Sequence, residues 1–332
     1  MILIYMAKPV YGGWVSFTSH MSLKYNLELF KIGKRTELLK SGEIKKRDFG
    51  YGVFYQNYSI YDIINYKDSD ILITAIDKNY YKYLDNFPDG TKIVIHDPTE
   101  VTGKSSKPVL ANLHRFKVFT IRKTVQLFLQ EKYNIKSTFL VHPFYKYSKT
   151  DNQSKLKSVA ISRIDFDKNT DMIIETNELL SDKKMSYIEI YGKKNDLYVY
   201  HCITQKLNKL EEFEKYYKSS FKKSFEELNN ILSESKAVID MSSIKNDGGG
   251  SQYTFLEAIY QNCILVLNKK WVNGKNTEFI NGKNCLIVEN ALELYETILF
   301  INNKNNNQKI SKIIKKSKKM IEPHINVNWV TS

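Results

Sequence analysis

Short apolar runs rich in β-branched residues alternate along this chain with longer segments of helical period. In the first half, the runs cover residues 2–6, 70–76, 92–96, 117–121 and 138–142. In the second half, they cover residues 158–162, 187–192, 237–243, 263–268 and 284–289. Continuous apolar runs separated by helices are typical of parallel strands that are buried on both faces. The pattern therefore predicts an α/β chain with about five strands in each half.

A polar stretch at residues 142–157 has no apolar period and separates the two sets of runs. The chain has 332 residues, which is too many for one ordinary core and suits two domains of about 150 residues each. We expect an α/β fold of two Rossmann-like domains with mostly parallel sheets facing across a cleft, over residues 1–150 and 151–305. Residues 306–332 place apolar side chains at helical spacing between lysines, which predicts a terminal helix and tail that can cross back to the first domain.

Basic residues exceed acidic ones by a wide margin. Lysine and arginine total 50 against 36 acidic residues, so the formal net charge is +14. This excess favours a polyanionic partner or an anionic membrane surface. Only five residues are arginines, and a lysine-rich chain can owe part of its charge to an AT-rich genome. An arginine at a strand end therefore carries more weight than the net charge does.

Targeting and redox signals favour a cytoplasmic protein. The apolar start MILIYM lacks a preceding basic region and a cleavage site, so it is typical of a first strand. No run reaches the roughly 18 to 20 apolar residues that span a bilayer. The three cysteines, Cys202, Cys263 and Cys285, form no CxxC or His–Cys cluster and indicate reduced packing residues.

A glycine-rich loop between a strand and a helix is the most informative candidate site. Gly248, Gly249 and Gly250 let the backbone approach a ligand closely, and the helix dipole that follows attracts anions. The residues that we expect to contact a diphosphate are Gly250, Ser251, Gln252, Tyr253 and Thr254. About one turn further along, Glu257 can accept hydrogen bonds from ribose hydroxyls. The alternative is a glycine hairpin before an ordinary buried helix, but the flanking strands favour the ligand.

A second loop, SRIDFDK, follows the strand at residues 158–162 and carries Arg163 and Lys168. Two cations at a strand end can hold a diphosphate and stabilise the charge that grows on it when its bond to a sugar breaks. Asp165 and Asp167 form a DxD-like pair. We interpret this pair as an acidic loop before a helix and expect no metal, because the two cations can do the metal's work.

Two loops of the first half also follow strands. His96 and Asp97 end the strand at residues 92–96, where they could orient an acceptor hydroxyl, contact a donor sugar or take a proton. The same residues could equally cap a helix, since Asp97 precedes a proline. Gly12 and Gly13 follow the first strand and allow a sugar or phosphate to lie against the backbone. A GxGxxG fingerprint is absent, which disfavours NAD.

The second half resembles the donor-binding domain of GT-B retaining glycosyltransferases, close to family 4. The matching motifs are Ser162, Arg163 and Lys168 for SRxxxxK, then Tyr191 and Gly192 for YG, then Gly248 to Glu257 for the glycine loop and ribose glutamate. They cover most of residues 158–290. Members often carry a second glutamate eight positions before the first, but this chain has Gly249 there. More faintly, the chain resembles the DNA α-glucosyltransferases of T-even phages.

The resemblance implies transfer of a hexose, glucose, from a UDP-sugar to a hydroxyl with retention, and with no cofactor besides this co-substrate. It implies that His96 and Asp97 face the reacting centre. It also implies that Gly12, Gly13 and Gly192 join Arg163, Lys168 and the glycine loop at the donor. The phage-like features and the net charge favour a hydroxymethylated pyrimidine in DNA as the acceptor, with Trp14 and Tyr11 near the base and Lys104, Lys107, Lys117 and Lys123 near the phosphates.

Two alternatives remain open at this stage. One is a glycosyltransferase of surface polysaccharide or glycolipid synthesis, with its basic face in peripheral contact with anionic lipid. The other is a catalytically silent nucleic-acid-binding protein on a GT-B scaffold.

Overall fold

A computed structural model describes residues 1–8, 12–63, 70–103, 106–150, 155–221, 224–243, 250–272 and 277–331. The described chain forms two compact units. Met1–Lys146 and Pro323–Ser332 form the first unit, and Tyr147–Glu322 form the second. The chain therefore returns to the first unit at its end.

The first unit contains a sheet of eight described strands. They are β1 (Ile2–Met6), β2 (Leu29–Gly33), β3 (Lys46–Gly50), β4 (Val53–Ser59), β5 (Ile71–Ile76), β6 (Lys92–Ile95), β7 (Lys117–Thr120) and β8 (Ser137–Phe139), in the sheet order β3-β4-β2-β1-β5-β6-β7-β8. The described α-helices of this unit are α1 (Gly13–Tyr25), α2 (Ile60–Ile63), α3 (Lys107–Leu113) and α4 (Lys123–Tyr133). All neighbouring strands pair in parallel except β3 and β4, which are antiparallel.

The central strands of this sheet coincide with predicted apolar runs, whereas β2, β3 and β4 on one side of the sheet do not. Every residue of β1, β5 and β6 is buried, which explains why these strands appear as continuous apolar runs. The prediction of about five strands was wrong here because β2, β3 and β4 were missed. Strand β3 has the sequence KRDFG and is mostly exposed, so its stability comes from pairing with β4 and leaves no apolar pattern.

The second unit contains a sheet of six described strands, all of them parallel. They are β9 (Lys157–Ile161), β10 (Ile188–Tyr191), β11 (Tyr217–Ser219), β12 (Ser235–Asp240), β13 (Ile264–Asn268) and β14 (Leu286–Val288), in the order β11-β10-β9-β12-β13-β14. Five of these strands coincide with predicted runs. The short strand β11 was missed because its three residues are partly exposed.

The α-helices and the π-helix described in the second unit lie between and after these strands along the sequence. They are α5 (Thr170–Asp182), α6 (Asp196–Tyr198), a π-helix (Val199–Leu207), α7 (Leu210–Tyr216), α8 (Phe225–Ser233), α9 (Tyr253–Tyr260), α10 (Lys269–Val272), α11 (Ala291–Asn302) and α12 (Asn307–Asn326). The amphipathic terminal helix that the sequence predicts is α12, with Ile310 and Ile313 packed into the core of this unit.

The last residues of the chain belong to the core of the first unit. The Trp329 side chain is buried, and its indole Nε1 donates to the Val141 carbonyl over 3.0 Å. Its ring packs edge-on against Phe17 and at a tilt against Phe119. No helix in the described residues is long and apolar enough to cross a membrane.

Candidate functional site

The loop after β9 carries the first pair of predicted cations. The Arg163 guanidinium is half exposed, and it pairs with Asp165 over 2.9 Å and with Asp167 over 3.3 Å. The DxD-like pair therefore lies against Arg163. Among the described residues, no three His, Cys, Asp or Glu side chains converge as a metal site would require.

Lys168 is the more buried of the two cations, since its side chain is only 10% exposed. Its Nζ donates to the Ser242 hydroxyl over 2.7 Å and lies 3.7 Å from an oxygen of Asp167. The indole of Trp271 lies beneath it, with 5.9 Å between Nζ and the ring centroid. These partners hold the ammonium group at the carboxyl ends of β9 and β12.

Lys168 follows β9, the strand at which the order of strands along the chain reverses direction in the sheet. From β9 the chain continues through β10 and β11 on one side, and β12, β13 and β14 then fill the other side. Ligands of open parallel sheets bind at such a switch point. The hydrogen bond from Lys168 to Ser242 joins the loops after β9 and β12, so it lies at this point.

Gly192 follows β10 in a conformation that requires glycine. Its φ is +144°, and a Cβ atom there would lie 1.6 Å from the carbonyl oxygen of Ser162. The absence of a side chain lets the ends of β9 and β10 approach closely, and the Ser162 amide donates to the Tyr191 carbonyl. Gly192 thereby supports the backbone that carries Arg163.

The described part of the glycine-rich loop leads into α9 as the sequence predicts. Gly248 and Gly249 lie outside the described residues. Trp271 Nε1 donates to the Gly250 carbonyl over 3.2 Å, so the indole beneath Lys168 also holds the loop. Ser251 donates its hydroxyl hydrogen to the carboxylate of Glu278. Lys168 and Gly250 thus share a neighbour at the same edge of the sheet.

The remaining residues of this segment begin the helix. Gln252 is the N-cap residue and Tyr253 and Thr254 form the first turn of α9. Glu257 lies one turn further along and is buried. Burial raises the pKa of its carboxyl group to about 8. A buried carboxyl group has lost its hydration, so hydrogen-bond donors that a ligand brings to it are favourable.

In the first unit, His96 lies at the end of β6 and is buried. Its Nε2 lies 2.8 Å from the Thr74 carbonyl oxygen, which can only accept, so Nε2 carries the hydrogen. The ring packs edge-on against Phe17. Burial lowers the pKa of this imidazole to about 4, although the bond to Thr74 opposes the shift. His96 is therefore neutral near pH 7 and has Nδ1 as its basic nitrogen.

Asp97 does what the capping interpretation requires. It is the N-cap of the 3₁₀-helix Pro98–Val101, and its Oδ1 accepts from the Thr99 amide over 2.9 Å. Its other oxygen lies 3.8 Å from Arg122. These contacts orient the carboxylate and leave its predicted role at the reacting centre open.

Glu100 is a buried carboxyl group that the sequence interpretation missed. Its Oε1 accepts from the Trp14 indole and its Oε2 accepts from the His96 amide, each over 3.0 Å. Burial raises its pKa to about 8, and these two hydrogen bonds oppose the shift. Glu100 therefore ties the start of α1 to the loop that carries His96.

Gly12 and Gly13 begin α1 as expected. Gly12 has a φ of +85° and its carbonyl accepts from the Val15 amide, and Gly13 is the first helical residue. A Cβ atom at either glycine would meet no atom within 4 Å. Among the described residues, no side chain therefore blocks a ligand from this backbone. Tyr11 and Lys104 lie outside the described residues.

Other site residues were missed for identifiable reasons. Arg122 lies two residues after the end of β7, so its place near a strand end was a usable signal. Ser242 and Trp271 follow β12 and β13 in the same way, but serine and tryptophan are common at such positions. Glu278 belongs to no strand or helix, and no sequence pattern marks it.

No family model matches the sequence, and no curated protein matches it. Solved structures do match it. HepE from Anabaena, in complex with UDP and glucose, is 14% identical with a TM-score of 0.68, and the match covers 98% of this chain and 95% of HepE. The T4 α-glucosyltransferase AGT, in complex with UDP, is 14% identical with a TM-score of 0.69, and the match covers 97% of this chain and 95% of AGT.

TarM from S. aureus is 18% identical with a TM-score of 0.58, over 79% of this chain and 54% of TarM. Similarity at these identities shows a shared fold. The chain has the GT-B fold of these glycosyltransferases, which confirms the expected α/β class with two Rossmann-like domains.

Proposed function

We propose that this protein is a glycosyltransferase that transfers glucose from UDP-glucose to a hydroxyl group with retention of the anomeric configuration. The observation that carries the proposal is the nearly buried ammonium of Lys168 at the switch point of the second sheet, hydrogen-bonded to Ser242. A fixed cation at this place suits an anionic ligand. HepE binds UDP and glucose and AGT binds UDP, which supports a UDP-sugar as that ligand.

The residues of the second unit have distinct roles in this proposal. Lys168, Arg163 and the first turn of α9 hold the diphosphate, because cations and helix N-termini both attract phosphate oxygens. Glu257 accepts hydrogen bonds from the ribose hydroxyls. Gly192 holds the backbone before Arg163 in place.

The chemistry needs a leaving group that is stabilised and an acceptor that loses a proton. The acceptor oxygen bonds to C1 of glucose on the face that the diphosphate leaves, the C1–O bond to the diphosphate breaks, and the leaving UDP accepts the acceptor's proton. Lys168 and Arg163 stabilise the charge that develops on the departing phosphate. We expect no metal in this step. In the first unit, His96 and Asp97 orient the acceptor hydroxyl or the sugar.

The acceptor in this proposal is a 5-hydroxymethylated pyrimidine in DNA. The net charge of +14 supports it. A second support is an exposed row of lysines on α12, which comprises Lys309, Lys312, Lys315, Lys316, Lys318 and Lys319. Among the described residues, no carboxylate lies within ion-pair distance of this row, which we call the α12 lysine row. Unpaired surface lysines suit a phosphate backbone.

A polysaccharide or glycolipid acceptor is the second candidate. TarM binds α-GlcNAc-glycerol and UDP, which favours a polyol instead of a base as the acceptor. The two candidates differ in the product, so one experiment separates them.

The decisive experiment incubates the protein with a panel of UDP-sugars and with hydroxymethylated DNA, plain DNA or a polyol acceptor. Mass spectrometry of the nucleosides and polyols detects transfer, and NMR of the product gives its anomeric configuration. Glucose on hydroxymethylated DNA alone supports the proposal. Transfer to the polyol alone moves the acceptor to the second candidate. If the protein neither transfers sugar nor hydrolyses any UDP-sugar, the proposal fails. The result would then favour the catalytically silent binding protein.

Glu257 offers a test of the nucleotide site by itself. Glu257→Ala should weaken UDP binding and leave the fold intact, whereas the exposed Glu296→Ala on α11 should change neither. Calorimetric titration with UDP measures the affinity and circular dichroism checks the fold. Unchanged UDP affinity in a folded Glu257→Ala protein would remove Glu257 from the site.

A further inference from the structure

Strands β6 and β7 of the first unit each lead into a charged side chain at the carboxyl edge of the sheet. The last paired residues are Ile95 and Thr120, so Asp97 and Arg122 lie two residues beyond these two partners. Arg122 Nη1 lies 3.8 Å from Asp97 Oδ2. Parallel strands in register therefore bring an aspartate and an arginine together at the edge where ligands of open parallel sheets bind.

The two members of this pair differ in how far solvent reaches them. The Arg122 side chain is 18% exposed, whereas the Asp97 side chain is 39% exposed. The Thr99 amide donates to Asp97 Oδ1 over 2.9 Å, so the backbone fixes one carboxylate oxygen and the guanidinium faces the other. Each oxygen keeps a lone pair for a further donor. Asp97 is thus a carboxylate that two partners hold and that a ligand can still reach.

The titratable groups that face Arg122 differ in charge. Burial raises the pKa of Glu100 to about 8 despite its two hydrogen bonds, so this carboxyl group is neutral near pH 7. Burial lowers the pKa of His96 to about 4, and the charge of Arg122 contributes to that shift. Burial also lowers the pKa of His142, which is neutral near pH 7 as well. Of these neighbours, Asp97 is the one whose charge attracts the guanidinium.

Open space adjoins the loop that Asp97 begins. A pocket of about 350 Å³ has Thr99 and Glu100 in its walls, and both belong to the 3₁₀-helix that Asp97 caps. Trp14 of α1 contributes to the same walls. A ligand that enters this pocket therefore lies beside the loop that carries Asp97. A carboxylate accepts hydrogen bonds and donates none, so the group that it can hold is a donor such as a hydroxyl.

We propose that Arg122 is a positioning residue, which fixes the Asp97 carboxylate so that this carboxylate orients the acceptor hydroxyl. The inference rests on the proposed function, because it assigns the group that prepares Asp97 for that reaction. Asp97 accepts the hydrogen bond of the hydroxyl, and Arg122 acts only through Asp97. A carboxylate that rotated away would leave the hydroxyl misplaced, and a misplacement of about 1 Å costs about a hundredfold in rate.

A double-mutant cycle on the rate of transfer tests this coupling. The wild type, Asp97→Asn, Arg122→Met and the double variant are compared for transfer of glucose from UDP-glucose to hydroxymethylated DNA, or to the polyol if that is the acceptor. We expect Arg122→Met to lower kcat about tenfold to a hundredfold with an unchanged KM for UDP-glucose. The double variant should be no slower than Asp97→Asn, because Arg122 then has no carboxylate to fix. Arg122→Lys keeps the charge and should be faster than Arg122→Met.

An aspartate–arginine pair at the amino ends of the same two strands supplies the control. Arg115 Nη1 lies 3.1 Å from Asp89 Oδ1, and the two residues precede β7 and β6. Arg115→Met removes this shorter ion pair at the opposite edge of the sheet and should leave kcat per folded molecule unchanged. Circular dichroism and urea unfolding give the folded fraction of each variant.

The outcomes separate this inference from the proposed function. Multiplicative losses from Asp97→Asn and Arg122→Met overturn the inference alone, because they show that the two side chains act independently. An unchanged kcat in folded Arg122→Met, or no recovery in Arg122→Lys, also overturns it. If Arg122→Met does not fold, Arg122→Lys takes its place in the cycle, and its smaller loss should vanish beside Asp97→Asn. A wild type that transfers no glucose overturns the proposed function itself.

Discussion

Lys168 is a cationic side chain of which only 10% is exposed. Removing an ammonium group from water is costly unless polar partners replace the water. Ser242 supplies a hydroxyl, Asp167 a carboxylate and Trp271 a ring face. An ammonium has three donors, so a bound phosphate can share the site with these partners.

We therefore predict that Lys168→Met weakens UDP binding by at least about tenfold, which corresponds to about 1.4 kcal/mol. The affinity for uridine, which lacks the diphosphate, should change much less. The exposed Lys183→Met serves as the matched control and should leave both affinities unchanged. Calorimetric titration with UDP and uridine gives the two ratios. An equal loss for both ligands would show that Lys168 supports the fold and not the diphosphate.

Gly192 has no side chain, which allows the ends of β9 and β10 to lie close together. Gly192→Ala must relieve an overlap with the Ser162 carbonyl in addition to its unfavourable φ. Gly282→Ala in the same unit has an unfavourable φ of +69° but open space around the new Cβ atom. We expect Gly282→Ala to lower the free energy of unfolding by about 1 kcal/mol and Gly192→Ala by at least about 2 kcal/mol more.

Urea unfolding of the two glycine variants measures this difference. Both substitutions place alanine at a positive φ, but only Gly192→Ala adds an overlap with the Ser162 carbonyl. Equal destabilisation would mean that β9 and β10 move apart without cost. In that event Gly192 would have no special role in placing Arg163.

At the scale of elements, α12 has two faces with different tasks. Ile310, Ile313 and Ile321 are buried, and the α12 lysine row lies on the exposed side. The apolar face fixes the helix on the protein, so the lysines are held in a row instead of being scattered. Their exposed face carries no large apolar side chain, which favours a phosphate backbone over insertion into lipid.

We predict that Lys312→Gln, Lys316→Gln and Lys319→Gln together weaken binding to duplex DNA and make it less sensitive to salt. Each phosphate contact contributes about 0.9 to the slope of log affinity against log salt, so the slope should fall by up to roughly 2.7. Fluorescence anisotropy of labelled DNA measures it. The control removes the same charge from exposed lysines elsewhere in the second unit, by Lys183→Gln, Lys206→Gln and Lys215→Gln. An equal effect of both triple variants would show that net charge, and not the position of the α12 lysine row, determines DNA binding.

At the scale of the whole molecule, the first unit contains several buried histidines. His20, His96, His142 and His324 are all buried, and the Tyr145 amide donates to Nδ1 of His20. Burial lowers the pKa of His20 to about 3 and that of His96 and His324 to about 4. It also lowers the pKa of His142. In the unfolded chain, these imidazoles accept protons near pH 6.5. The unfolded state therefore binds more protons than the folded state below that pH.

We predict that the first unit loses stability as the pH falls from about 6.5 toward 4, by up to about 1.4 kcal/mol per histidine for each unit of pKa difference. Glu100 acts in the opposite direction, because its folded pKa is raised from 4.5 to about 8 and its stabilising contribution is lost as the pH rises through this range. Stability should therefore be greatest near pH 6.5. Calorimetric melting across this range tests the prediction.

Glu100→Gln tests whether Glu100 causes the predicted loss of stability above about pH 6.5. Its melting temperature should fall less than that of the wild type between about pH 6.5 and 8, whereas Glu131→Gln on the exposed face of α4 should follow the wild type. A melting temperature that stays constant from pH 6.5 to 4 would show that the histidines are accessible to protons in the folded state.

Apolar pattern alone identified most of the architecture. The central strands β1, β5, β9, β12 and β13 match predicted runs, because the residues of a parallel strand that are buried on both faces are mostly apolar. The same pattern predicted α12. It missed β3, because an exposed edge strand depends on its pairing partner and not on its own sequence.

The sequence likewise predicted some features of the candidate site and not others. The positions of Arg163, Lys168, His96 and Gly250 follow from the sequence, because each follows a run that is recognisable as a strand, and strand ends are where ligands bind. The partners of these residues do not follow from it. Lys168 and Ser242 are 74 positions apart, and Trp14 and Glu100 are 86 apart.

The sequence by itself therefore determined the α/β class, the strands that are buried on both faces and the loops at their ends, because burial imposes a local pattern on the chain. Only the tertiary structure decided which of these loops meet, which carboxyl group is buried between them and where a pocket opens. The physical reason is that these properties depend on the order of strands in the sheet, which brings distant residues together and removes water from the groups between them.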